Sequence, residues 1–345
     1  MTHHQLNDIE FTTYFLLTYR FFTTPKNFLD ALIKRYHAQP SRKKNDTLST
    51  EEEEKIRHLV QDRVIYVITL WIKSRVSSYD FEDPTAAINK EVLAFVEELK
   101  KSPNSPDLSL EEKILKNKPR DSLLTPLSLP ECVPLEDPFR NVTHWDAELV
   151  ASCITSQDFE YYKKIQPREF LRQAWCSSNS AQIAPNILSM TSRFNDIGSW
   201  VVYEIVTKAT PKERAQTINH FLMIVKCLRK KNNLNGLCAI MSGLNNAAIT
   251  RLKRTLAKVN KEKNTGLEES TKLVEGADNY KALREIWKNV EPPAIPFLAI
   301  TLRDLTFLED GNPDRLEGGG INFYKWRRIA EVIQAVLDYQ HVPYD

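Results

Sequence analysis

The sequence predicts an all-helical chain, and three observations carry that expectation. Glycine is scarce, at nine of 345 residues. Leu, Lys and Glu are plentiful, whereas alternating runs of β-branched residues, the mark of half-buried strands, are few. Apolar residues also recur at three- and four-residue spacing in one segment after another. The length fits about two domains and allows a substantial core. No repeat of fixed period is present, which argues against a solenoid.

Residues 8–36 read as two helical pieces joined at Thr23-Thr24-Pro25. A Thr directly before a Pro is a helix-start signal, and Phe28, Leu29, Leu32 and Ile33 then share one face. Residues 37–54 read as a solvated loop, with a basic Arg42-Lys43-Lys44 patch and four successive glutamates. Ile56 to Ser74 is a strong amphipathic helix through Val60, Val64, Val67, Ile68, Trp71 and Ile72, and Val92 to Leu99 is another. From Lys100 to about Asn141 the chain fills with Pro, Ser, Lys and Asp and loses its periodicity. This is a linker with a short helix at Leu110 to Leu115.

The second half restarts at His144-Trp145-Asp146, with helices at Glu148 to Ile154 and Phe159 to Leu171; between them the Thr155 to Asp158 spacing fits a capping box. Thr191 to Lys208 carries Phe194, Ile197, Trp200, Val201 and Ile205 at helical spacing, and Trp200 reads as core. Pro211 opens a helix that continues through residues 220–233 into 234–259. Arg251, Lys253, Arg254, Lys258, Lys261 and Lys263 form a basic cluster without interleaved aromatics, which reads as a solvated face rather than a nucleic-acid surface. Leu273 to Trp287 leads into the last stretch.

Residues 292–340 read as two helices and a turn. The first runs from about Pro296 to Asp310, with Phe297, Ile300, Thr301, Asp304, Leu305 and Leu308 on a packing face and Ala299, Arg303, Thr306 and Asp310 opposite. Gly311 and Pro313 stop it. Gly318-Gly319-Gly320 reads as a flexible turn. Asn322 caps the second helix, which packs through Phe323, Trp326, Ile329, Ala330, Ile333, Val336 and Leu337 and leaves Lys325, Arg327, Arg328 and Glu331 outward.

Several function classes are excluded. Lys plus Arg number 47 against 45 Asp plus Glu, a net +2, which is not the basic excess of a nucleic-acid binder. The seven histidines show no metal spacing, and no nucleophile elbow, phosphate loop or dinucleotide fingerprint is present. Neither a cofactor nor a metal is expected. Five cysteines without a CxxC pair read as reduced thiols of a cytoplasmic protein. The longest apolar run, Val64 to Ile72, is about half a membrane span.

The run Ala294-Ile295-Pro296-Phe297, then Leu302-Arg303-Asp304-Leu305 and Gly311-Asn312-Pro313, closely resembles the catalytic signature of guanine-nucleotide exchange factors for Ras-family GTPases. Ile321-Asn322-Phe323, Lys325, Tyr339-Gln340 and Pro343-Tyr344 extend the match. So do Ile165, Pro167, Glu169 and Phe170, the Asn195 and Trp200 pattern, and Ile249-Thr250-Arg251-Leu252. Residues 15–25 (FLLTYRFFTTP) resemble the Ras exchanger motif that accompanies these domains.

The resemblance implies a helical exchanger module over 1–100, N-terminally incomplete, then a linker over 101–141 and a larger helical catalytic domain over 142–345 with a protruding hairpin. It implies that the hairpin opens switch I of a Ras- or Rap-branch GTPase while a groove holds switch II, with peripheral membrane recruitment through the lipid-anchored partner. Carried over by motif, Phe297 anchors the hairpin base, while Asn195, Asn245 and Thr250 line the groove. Thr306 and Asp310 face the Mg²⁺ and phosphate site, beside Arg303, and Asn312 ends the helix. The chain departs from the best-known Ras activators at three positions: they carry an aliphatic residue at Thr306, Glu at Asp310 and a smaller polar residue at Arg303. Such a protein makes and breaks no covalent bond, so the missing catalytic groups are consistent with it. A helical scaffold that binds a GTPase without releasing its nucleotide is the alternative.

Overall fold

The computed structural model describes residues 3–39, 49–74, 77–81, 86–101, 107–116, 141–260, 268, 270–274 and 276–344. Among these every regular element is a helix, and the only bridges are two isolated pairs, Asn233 with Ile295 and Arg315 with Ile321. The chain divides into two compact units, Met1–Thr125 with Pro313–Ala330, and Pro126–Asn312 with Glu331–Asp345.

The first unit holds α1 (His3–Thr18), α2 (Pro25–Tyr36), α3 (Thr50–Lys73), α4 (Ala87–Leu99) and α5 (Ser109–Lys116). Thr24 caps α2, its hydroxyl accepting from the Asn27 N–H at 3.2 Å, with Pro25 in the first turn. Ser49 and Glu52 form a reciprocal capping box on α3. The four glutamates read above as part of a loop therefore open a helix, where negative charge meets the positive end of the dipole. The rest of that expected loop, residues 40–48, lies outside the described residues. Leu29, Ile68, Trp71, Ile72, Val92 and Val96 are almost wholly buried. Beneath them Asp80 accepts from the Trp71 indole at 2.7 Å and from Tyr19 and Arg20.

Residues 313–330 complete this unit. The Phe21 ring stacks on Trp326 at 4.1 Å, and Phe11 meets Phe323 at 4.9 Å. Lys325, expected to face outward, has only 3% of its side chain exposed. Its ammonium reaches Asp314 at 2.7 Å and lies 5.0 Å from the Trp326 ring centroid. Helical periodicity could not show that the loop before the helix folds back and supplies a carboxylate. That loop is tied by hydrogen bonds: Asn322 donates to the Asp314 and Pro313 carbonyls, and Leu316 to Gly320. Gly318 and Gly319, at φ of 93° and 83°, take backbone angles that other residues rarely adopt.

The second unit holds α6 (Ala147–Tyr162), α7 (Pro185–Val206), α8 (Pro211–Lys230), α9 (Leu234–Leu244), α10 (Lys281–Lys288) and α11 (Leu298–Gly311), with the later turns of α12 (Phe323–Leu337). Asp146 caps α6 by accepting from the Glu148 and Leu149 N–H groups. α6 then runs unbroken through Thr155, so the expected capping box there is not formed; Thr155 is buried inside the helix. The helix expected from Pro211 into residues 234–259 is divided, because Asn232 takes a left-handed φ of 55° between α8 and α9. α9 is buried from Leu234 to Met241 and forms the centre of this core. It lies close against α7: a Cβ on Gly243 would stand 2.6 Å from the Gly198 carbonyl oxygen. Trp200 is only partly buried, set edge-on to Phe221 at 5.1 Å. Arg251, Lys253, Arg254 and Lys258 are exposed, while Lys261 and Lys263 lie outside the described residues.

Candidate functional site

The site is built on α11. Phe297 is its N-cap, in extended backbone at φ −78° and ψ 100°, so the helix begins later than the expected Pro296. Of the expected packing face Thr301 and Leu305 are buried and Ile300, Asp304 and Leu308 partly so, while Leu298, not expected there, is buried with them. Phe297 is only partly buried. Its ring lies along Phe194 at 5.5 Å and edge-on to Tyr280 at 5.8 Å. Phe297→Ala is therefore expected to cost about 1–2 kcal/mol, below the about 3–5 kcal/mol of a fully enclosed Phe. Urea titration of the purified variant checks this; a loss above about 3 kcal/mol would mean the ring is enclosed.

The opposite face of α11 is open. Arg303 is exposed, its guanidinium 6.0 Å from the Tyr280 ring and 5.4 Å from that of Phe307. Phe307 is 59% exposed, and its four-residue spacing from Arg303 is the only sequence signal that points to it. Thr306 is half-buried and its hydroxyl donates to the Leu302 carbonyl at 3.0 Å. Asp310, one turn on, is exposed and accepts from the Gln173 side-chain amide at 2.8 Å. Beside it Glu309 accepts from the Arg172 N–H at 3.3 Å. Asn312 follows as the C-cap, its amide donating to the Leu308 carbonyl at 3.1 Å.

The other expected contact residues sit on neighbouring elements, all exposed. Asn195 lies on α7 next to Phe194, whose ring touches Phe297. Asn245 is the C-cap of α9 and accepts from the Thr271 hydroxyl at 3.2 Å. Thr250 ends the short helical turn that follows. The structure thus gathers Arg303, Thr306, Asp310 and Asn312 on one helix and puts Asn195 at its aromatic base. Asn245 and Thr250 share the far end of α9, where the hydrogen bond of Asn245 is directed to Thr271.

Two supports of α11 were not legible in the sequence. Arg284 on α10 holds Asp304 through two hydrogen bonds of 2.6 Å, so Asp304, expected on the packing face for its position, is there as an ion-pair partner. The same guanidinium donates to the Asn279 carbonyl at 2.7 Å. Asp278, Asn279 and Tyr280 are all left-handed, with φ of 49°, 57° and 57°. Each such residue costs about 1–2 kcal/mol, so the turn persists only because its surroundings hold it.

The second support lies at the approach to α11, through Ile295. The Asp158 side chain is 0% exposed and is met by Arg193 Nε at 2.6 Å and by the Asn233 amide at 3.0 Å. Burial pushes its carboxyl above the usual range, against the opposing pull of Arg193 and Asn233. Asn233 in turn caps α9 through the Gly236 N–H, while the adjoining Leu234 N–H bonds the Ile295 carbonyl at 3.0 Å. The entry to α11 is thereby tied to a buried charge.

Among the described residues no cluster of His, Cys, Asp or Glu could hold a metal ion, and no helix is long and apolar enough to cross a membrane. No disulfide involves Cys153, Cys176, Cys227 or Cys238; Cys132 lies outside the described residues.

The sequence profile of the RasGEF domain matches residues 149–327, and that of the RasGEF N-terminal motif matches residues 1–98. The chain is 33% identical to "Ras guanine nucleotide exchange factor P" of Dictyostelium discoideum, over 96% of this chain and 22% of that protein. It is 33% identical to "Ras guanine nucleotide exchange factor J" of the same organism, over 98% of this chain and 42% of that protein. With "Ras-specific guanine nucleotide-releasing factor 2" of Danio rerio it shares 31% identity, over 89% of this chain and 25% of that protein. The chain therefore spans less than half the length of these relatives.

Proposed function

The chain belongs to the RasGEF domain family, and from that membership we propose that it promotes GDP release from a Ras-family small GTPase. In this reading α11 is the wedge. The observation that carries it is a helix with one face sealed by Leu298, Thr301 and Leu305 and the other presenting Arg303, Thr306 and Asp310 above the aromatic base of Phe297. A carboxylate brought to a nucleotide-phosphate and Mg²⁺ site repels the phosphate and competes for the same positive surroundings. Asn195, Asn245 and Thr250 would hold the partner's switch II while α11 opens switch I. We assign the exchanger module to 1–100, the linker to 101–141 and the catalytic domain to 142–345.

Exchange requires no bond-making. Binding of this protein must weaken nucleotide binding by some factor, and by linkage nucleotide weakens its own binding equally. The test is release of a fluorescent GDP from purified Ras and Rap GTPases, with excess unlabelled nucleotide and with or without the protein. Acceleration of either establishes exchange and identifies the branch; no acceleration of any Ras-family GTPase overturns the reading. Thr306→Ala combined with Asp310→Ala is expected to leave the melting temperature nearly unchanged and to slow release at least about tenfold, about 1.4 kcal/mol of barrier. Parent-like release by this double variant would remove α11 as the wedge. A second reading is a scaffold that binds the GTPase without releasing its nucleotide. Stable binding of the GDP-loaded GTPase, unaffected by added GDP, would select it. The protein would reach membranes through its lipid-anchored partner, as a peripheral cytoplasmic protein.

A further inference from the structure

Six residues other than glycine take left-handed backbone angles among the described residues: Arg172, Gln173, Asn232, Asp278, Asn279 and Tyr280. They fall in three loops, and each loop bears on the same short piece of chain. The Asn232 carbonyl accepts from the Ile295 N–H at 3.0 Å and its side-chain amide donates to Glu291 at 3.1 Å, which fixes the approach to α11. The turn 278–280 is bound to the middle of α11 by Arg284, which bonds both Asn279 and Asp304. Gln173 and the Arg172 N–H bond Asp310 and Glu309 at its far end. Backbone in such conformations is unfavourable and survives only where its surroundings impose it; concentrated at one element, it marks a part that must be held in place.

We propose that Arg284 and Gln173 are positioning residues that fix α11 at its middle and its end, so that the energy of binding the GTPase opens the nucleotide site instead of displacing the helix. This rests on the exchange reading above. A guanidinium suits the first task because its planar fork bonds the Asp304 carboxylate twice and still reaches the Asn279 carbonyl. A lysine keeps the charge but cannot reproduce that three-way geometry. Gln173 serves the second task by fixing the direction of the Asp310 carboxylate, which has one methylene less than Glu with which to find its target.

The experiment measures nucleotide release against concentration of the exchange protein for the parent, Arg284→Ala, Arg284→Lys, Gln173→Ala and the Arg284→Ala/Gln173→Ala pair, with melting temperatures alongside. The pair is expected to lower the maximal release rate about tenfold while the half-saturating concentration moves less than about threefold, because the groove still binds. Arg284→Lys is expected to fall between parent and Arg284→Ala. Should Arg284→Ala fail to fold, Arg284→Lys and Gln173→Ala decide on the same readout. An active parent with variants that match its maximal rate overturns this inference and leaves the exchange reading standing. So does a loss that appears only in the half-saturating concentration. An inactive parent removes both.

Discussion

Asp158→Ala is expected to destabilise the protein by about 3–5 kcal/mol, because it removes one partner of a buried ion pair and leaves the other without compensation. The Arg193 side chain is only 16% exposed, so water cannot fully replace the carboxylate it loses. The Asn233 amide loses an acceptor in the same step, and Asn233 caps α9 beside the bridge to Ile295. The damage should therefore reach α11, and exchange should fall together with stability. Equilibrium urea unfolding of parent and variant checks the magnitude. A loss below about 1 kcal/mol would mean that the carboxylate contributes nothing beyond its own desolvation. Asp158→Asn separates the effects: it retains a side-chain acceptor and loses only the charge, so it should cost less than Ala.

Gly243→Ala is expected to cost about 3 kcal/mol, the upper part of the range for inserting a methyl into a closed core. The added Cβ would lie 2.6 Å from both the Gly198 carbonyl oxygen and Val201 Cβ. One of these is backbone and the other a β-branched side chain in a packed helix, so α7 and α9 must separate. Gly198 is the internal control. A Cβ there has its nearest neighbour, the Ala239 carbonyl oxygen, at 3.5 Å, an ordinary contact. With no clash, the helix-propensity gain of up to about 1 kcal/mol for Ala over Gly decides the sign. Thermal melts should show Gly243→Ala well below the parent and Gly198→Ala at or slightly above it. Equal shifts for the two would contradict this account of the helix contact.

The apolar faces of α3 and α12, with the burial of Trp71, Trp326, Ile329, Ile333 and Leu337, were legible in the sequence, because each depends on residues within one or two turns of each other. The open face of α11 was legible for the same reason: a wheel separates Arg303 and Asp310 from Thr301 and Leu305 without knowledge of any other element. The course of the chain over Phe159 to Leu171, expected as one helix, was not legible, since α6 ends at Tyr162 and Pro167–Cys176 is a 3-10 segment broken at Leu171 to Gln173. Membership of the RasGEF family was also carried by the sequence, through ordered motifs that are themselves local.

Tertiary structure alone decided the rest. Lys325 is buried because a loop returns with Asp314, Thr155 is interior because Asp146 already caps its helix, and α8 and α9 part at a left-handed Asn232. The mounting of α11 by Arg284 and Gln173 joins positions 20 and 137 residues apart. A pattern with a period of a few residues carries no record of which distant side chain will meet a carboxylate, nor of where the fold can hold a non-glycine backbone left-handed. Both depend on the free energy of the assembled core, which no single segment contains.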